Sequence, residues 1–179
     1  EASKDGLVWT FHLVRNATWH DGKPFTSADV KFSVEKALLP LHPRGKTYWG
    51  GVKSVETPDD YTVLFNLKEP QAAFIWAFWV HQGPIIPKHI YDGTDIRTNP
   101  ANEKPIGTGP FKFKEWVKGS HITLVRNENY WKKGKPYLDE IVFRIITDTA
   151  TGLIAMEKGE VHLSPYVFPA SEVERFQKM

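Results

Sequence analysis

Apolar and polar positions along the chain follow two different periods. From Leu7 to Val14 they alternate, placing Trp9, Phe11 and Leu13 on one side of a half-buried strand. A short extended piece, Ala17 to His20, runs into the turn pair Asp21-Gly22. The period then lengthens. Val30, Val34, Ala37 and Leu38 mark one face of a helix. Thr26 is its N-cap, Asp29 stands at N3 as an acidic variant of the capping box, and Phe25 with Val30 forms a staple. Pro40 and Pro43 are predicted to end that helix, leaving 41–51 as a loop. Alternation returns in two strands, Val52 to Thr57 and Tyr61 to Leu67, around a turn at Pro58-Asp59-Asp60.

Pro70 opens a predicted short helix over Gln71 to Val80. It is unbroken apolar from Phe74 on, so burial in protein is expected. Gly83-Pro84 breaks it, and Pro87 to Tyr91 allows one more helical turn. Asp92 to Pro105 is polar and turn-rich, the expected lobe boundary. Beyond it, Pro110 to Val117 and His121 to Arg126 read as a hairpin around Lys118-Gly119, and 127–136 as a loop. Ile141 to Ile146 is nearly continuous apolar sequence, as in a strand covered on both faces. Asp148 caps a helix running to Lys158, with Gly159 at C′ and a strand predicted at Val161 to Leu163. Strand, helix and strand at that spacing predict a βαβ unit. A last helix is predicted from Ser171.

Composition narrows the chemistry. The 179 residues carry 23 basic and 21 acidic side chains, and no run of like charge supports a nucleic-acid partner. Cysteine is absent, which removes disulfides, thiol catalysis and thiolate metal sites. Aromatic residues reach 13%, with seven Trp. No apolar stretch is long enough to span a bilayer.

Candidate chemistries are few. Gly107-Thr108-Gly109-Pro110 looks like a phosphate loop, but Pro110 removes a backbone donor and a strand follows, so a tight turn is expected instead. The seven His show no metal-ligand spacing, and no metal or cofactor is implied. Asp59-Asp60, and Glu128 with Glu115, are the carboxylate pairs; a glycosidase would need one such pair facing across a cleft. No serine lies in a nucleophile elbow. His81 and Gln82, beside Trp79 at the end of the apolar segment, suit the edge of a small-ligand pocket. Asn16-Ala17-Thr18 is a glycosylation triplet. From these residues alone the chain reads as an α/β domain, with α+β character in its first part, that binds rather than catalyses.

Four segments carry a resemblance. They are Trp9 to Arg15 with Trp19-His20-Asp21-Gly22-Lys23-Pro24-Phe25 to Ser33; Pro105-Ile106-Gly107-Thr108-Gly109-Pro110-Phe111; Arg126-Asn127-Glu128-Asn129-Tyr130-Trp131; and Gly159-Glu160-Val161. In order and spacing the chain resembles the extracellular solute-binding proteins of ABC importers, family 5, the peptide- and nickel-binding type. The resemblance implies a periplasmic binding protein-like fold of type II, present in part. Residues 1–104 would be a peripheral subdomain and 105–179 part of the first main lobe, with the second lobe absent. It implies no enzyme activity, but capture of a peptide or related small solute and delivery to a membrane permease. The location implied is periplasmic or extracellular, lipid-anchored or free. Nickel-chelate or oligosaccharide binding are the alternatives within the family, and a carbohydrate-active enzyme the rival outside it. The expected ligand contacts are Trp79, His81, Gln82, Gly109, Pro110 and Phe111. The family's usual Asp after Gly-Glu-Val is here His162. The family's peptide amino-terminus anchors lie outside this chain, so weak or no binding is expected of residues 1–179 alone.

Overall fold

The computed structural model describes residues 1–164. The chain divides into two compact units, one made of residues 1–115 with 124–141, the other of 116–123 with the chain from Val142 onward.

In the first unit, β1 (Val8–His12), β2 (Val52–Asp59) and β3 (Thr62–Leu67) form an antiparallel sheet in the order β1-β3-β2. The register pairs Trp9 with Phe65, Phe11 with Val63 and Val55 with Phe65, so the alternating apolar residues line up across one face. Against that face packs a helical run. α1 (Ser27–Phe32) continues as a π-helical turn, Ser33–Leu38, and ends in α2 (Leu39–Leu41). Val30, Val34 and Leu38 are buried, as their spacing predicts. Pro40 does not end the helix. The turn before it is widened, with the Leu39 amide donating to Val34 O, so the bond that proline cannot make is not required at the usual spacing.

The predicted loop 41–51 contains α3 (Gly45–Trp49), and its last residue is the centre of the core. Trp49 is 0% exposed and its ring meets Phe65, Phe74 and Phe78 at centroid distances of 6.1, 6.0 and 5.1 Å. Its indole N–H donates to Gln82 O at 3.0 Å, which satisfies the one polar atom it brings inside. Proline and glycine around this turn hid it from a periodicity reading.

The segment 71–80 is not a buried helix. Only Phe74–Phe78 is helical, as a 3₁₀ turn. It buries Phe74 and Ala77 but leaves Trp76 64% and Trp79 58% exposed. One 3₁₀ turn has a single inward side: Phe78 joins Phe74 and Ala77 against the core, while Ile75, Trp76, Trp79 and Val80 are exposed. The turn that follows needs glycine. A Cβ on Gly83 would lie 2.5 Å from Ala77 O and 3.2 Å from the Trp49 ring. After α4 (Lys88–Tyr91), the 92–105 segment is a turn closed on itself by Asn102 Nδ2, which donates to Ile96 O, and tied back to α4 by Asn99 Nδ2, which donates to Ile90 O.

The second sheet has the order β4-β5-β6, from Phe111–Val117, His121–Arg126 and Glu140–Arg144. The expected hairpin is present, with Gly119 at φ +78°. The apolar run 141–146 is not doubly covered: Val142, Phe143 and Ile145 are exposed. α5 (Thr149–Glu157) begins where predicted. The Asp148 carboxylate accepts from the Thr151 amide at 2.8 Å and its hydroxyl at 2.6 Å. Gly159, at φ +69°, follows the helix as expected. Val161 to Leu163 is irregular, so no βαβ unit is completed within the described residues. The helix predicted from Ser171 lies outside the described residues.

Candidate functional site

Three of the sequence segments singled out above meet at one junction in the first unit. The His20 amide donates to Gly107 O at 2.9 Å. The Gly107 amide donates back to His20 Nδ1 at 3.1 Å. Nδ1 is therefore the acceptor, the proton resides on Nε2, and Nε2 donates to Gly109 O at 3.1 Å. Buried Asn127 completes the junction. Its Nδ2 donates to the same Gly109 O at 3.0 Å and its amide to Pro110 O at 2.8 Å. Gly107 has the close approach that a turn of this kind requires, since a Cβ there would sit 3.3 Å from His20 Cε1. Burial holds the His20 imidazole below its ordinary pKa. The Gly109 carbonyl opposes that shift, Lys112 adds to it, and Asp21 opposes it.

Beside this junction a second buried group fixes the entry of α1. Asp29 accepts from the Thr26 amide at 3.0 Å, the Trp19 indole at 3.2 Å and the Lys88 amide at 2.9 Å. The capping carboxylate thus ties α1 to the 19–25 loop and to α4, so it does more than cap. Asp21 bonds His89 of α4, Oδ2 to Nε2, at 2.6 Å. Burial pushes the Asp21 carboxyl up, but the His89 ring and the Lys23 amide outweigh it and hold it below its usual range.

The six expected contact residues fall into two groups. Trp79 lies edge-on to Trp76 and His81, at 6.5 and 6.2 Å. His81 is exposed, and its carbonyl accepts from His42 Nε2 at 3.0 Å. Gln82 is only 6% exposed and serves the core through its carbonyl bond from Trp49. Its Nε2 reaches Tyr48 Oη at 3.4 Å, while its buried Oε1 has no hydrogen-bond partner. Gly109, Pro110 and Phe111 are half-buried at the junction, where the Gly109 carbonyl already accepts two internal bonds. Among the described residues no hydrogen bond or ring contact joins the two groups. Sequence reasoning missed His20, Asn127 and Asp29 as the connecting side chains. The signal was that each lies inside a quoted segment, His20 and Asn127 with no local task to account for them and Asp29 with a capping task that uses only part of its carboxylate.

An open cleft of about 390 Å³ adjoins the junction, lined by His20, Asp21, Lys104, Ile106, Lys112 and Phe113 among others. Two of the lysines that line it are matched by carboxylates, Lys112 with Glu128 at 3.9 Å and Lys114 with Glu140 at 3.0 Å, so the cleft is close to neutral overall. The carboxylate pair Asp59-Asp60 is exposed on the β2–β3 turn, not across a cleft, and the Asp59 carboxylate accepts the Tyr61 amide at 2.8 Å. Among the described residues, no three His, Cys, Asp or Glu side chains gather as a metal site would require. Among those residues, too, no helix is long and apolar enough to cross a membrane.

Comparison with known proteins places this architecture. The oligopeptide-binding protein AppA of Bacillus subtilis is 35% identical over 179 residues, covering 97% of this chain and 32% of AppA. Among solved structures, DppA of Helicobacter pylori, in complex with the peptide STSA, superposes with a TM-score of 0.81 at 32% identity. That match covers 100% of this chain and 38% of DppA. NikZ of Campylobacter jejuni, in complex with Ni(L-His), gives a TM-score of 0.79 at 30% identity, covering 90% of this chain and 32% of NikZ. The chain spans about a third of the length of the relatives it matches. The pattern that describes the middle portion of the bacterial extracellular solute-binding proteins, family 5, matches residues 1–179, and the chain belongs to that family.

Proposed function

We propose that this chain is part of the solute-binding component of an ABC importer that captures di- or oligopeptides and delivers them to a membrane permease. The observation that carries the reading is the family match along all 179 residues, joined to 35% identity with an oligopeptide-binding protein. The mechanism is binding and hinged closure with no covalent step. The protein works in the periplasm or outside the cell, lipid-anchored or free. Residues 1–104 serve as a peripheral subdomain, and 105 onward as part of a main lobe.

In this reading the solute meets Trp79 and His81 on one side and the backbone of Gly109, Pro110 and Phe111 on the other. Gln82 anchors the first group to Trp49. Exposed aromatic surface beside half-buried main chain suits a ligand with apolar side chains and peptide groups. A second reading, uptake of a nickel chelate, is favoured by the likeness to NikZ.

The test is mass spectrometry of what co-purifies with the full-length protein, followed by calorimetry. Peptides bound at micromolar affinity or tighter are the expected result. A nickel chelate bound instead supports the second reading. A full-length protein that binds neither overturns both.

A further inference from the structure

We propose that His20 is a proton-sensitive latch: its neutral ring fastens the 107–111 turn to the 19–25 loop, and protonation of Nδ1 releases the turn. The geometry allows one protonation state. Nδ1 must be bare to accept the Gly107 amide at 3.1 Å, and Nε2 must carry the proton to donate to Gly109 O at 3.1 Å. A proton added at Nδ1 would face the Gly107 N–H, donor against donor, and that bond would be lost. The turn has little slack to absorb this. His20 and Gly107 are also joined through the His20 amide, and the ring edge leaves 3.3 Å for any Cβ at position 107.

Burial sets the direction, and the charges around the ring adjust it. Burial disfavours the imidazolium, and Lys112 on β4 reinforces this from the cleft wall. Lys104 and Lys114 line the same cleft, but Glu140 pairs Lys114 and Glu128 pairs Lys112, so the cleft adds little net charge. Asp21 favours the imidazolium, but its carboxylate is engaged by His89 of α4. A histidine whose folded-state pKa lies below its unfolded value binds more protons unfolded. Its contribution to stability is complete above the unfolded imidazole range and is lost as the pH falls through the folded value. Asn127 does not titrate and still holds Gly109 O and Pro110 O, so release is local: the Gly107 end opens while the Pro110 end stays fixed.

The test uses the full-length protein without solute. Nitrogen-15 NMR of the imidazole is expected to show the Nε2–H form and a titration below that of free imidazole. Amide exchange at Gly107, corrected for the intrinsic rate, is expected to quicken as the pH falls from the free-imidazole range to that titration, by up to about tenfold per pH unit as one linked proton requires, and to level off below it. Exchange at Asn127 is expected to stay flat over the same range. His20→Gln, which keeps a donor for Gly109 but cannot titrate, should abolish the Gly107 slope. An Nδ1–H ring, Gly107 exchange indifferent to the titration, or an unchanged slope in His20→Gln would each overturn the latch. The NMR arm needs no variant, so it stands even if His20→Gln does not fold.

Discussion

The two sheets use similar apolar content in opposite ways. The β1-β3-β2 sheet turns its apolar face onto α1, the π-helical turn and α3, and around Trp49 a closed ring of aromatic contacts results. Among the described residues the β4-β5-β6 sheet carries Trp116, Val142 and Phe143 with no comparable cover, and Phe143 is 53% exposed. Alternation in a sequence states which residues share a face. It does not state whether another layer arrives to cover that face, because the layer is supplied by residues far away in the chain.

This contrast can be broken by mutation, and the largest effect belongs to the closed core. Trp49→Ala is expected to cost about 3–5 kcal/mol, from lost burial, a cavity and an unpaired Gln82 carbonyl. Urea denaturation followed by circular dichroism measures it. A loss under about 1 kcal/mol would mean that the aromatic ring around Trp49 is not a packed core.

Next comes Asp29→Ala. It strands the donors of Thr26, Trp19 and Lys88, and a loss on the order of 3 kcal/mol is expected by the same denaturation. Asp29→Asn should recover only part of it, since an amide offers one acceptor oxygen to three donors. Full recovery by Asn would show that the carboxylate's second oxygen is dispensable.

In the second region the effects should be smaller and local. The Thr151 hydroxyl and amide hold the Asp148 carboxyl below its usual pKa. A depressed carboxyl stabilises above its unfolded range and loses that contribution as the pH falls through its folded value. Amide exchange at Thr151 should therefore accelerate on acidification below the ordinary carboxylate range, with the β1-β3-β2 sheet unaffected. Exchange at Thr151 that ignores pH would remove Asp148 as the cap. The smallest change is expected for Phe143→Ser in the 179-residue chain, within about 0.5 kcal/mol, with reduced self-association in light scattering. A cost approaching that of Trp49→Ala would erase the contrast between the sheets.

Much of the first region was legible because local rules and burial agree there. The i, i+4, i+8 face of Val30, Val34 and Leu38 and the alternation of β3 both end buried. Asp148 and Gly159 also bound α5 as their chemistry predicts. The misreadings share a cause. Pro40, the helical turn at Gly45–Trp49 and the 3₁₀ turn at Phe74–Phe78 all depart from the regular periods. They are stabilised by what they pack on, so no window of neighbouring residues reveals them. Ile141 to Ile146 differs in another way: nearly continuous apolar sequence predicts double cover, and cover is not a property of the strand.

The candidate site divides along the same line. Sequence singled out the segments that contain His20, Gly107, Gly109 and Asn127, and it identified the family, since segment order is a linear property. It determined the strand faces, the helix caps and the glycines that a close turn demands. Only the tertiary structure decided that His20 and Asn127 share one carbonyl across more than a hundred residues of chain, from 20 to 127, and that the ring must carry its proton on Nε2. Only it decided that Gln82 serves the core while Trp79 and His81 remain exposed. Local rules fix what each residue can do; which of those options it uses depends on the partner that folding brings within about 3 Å.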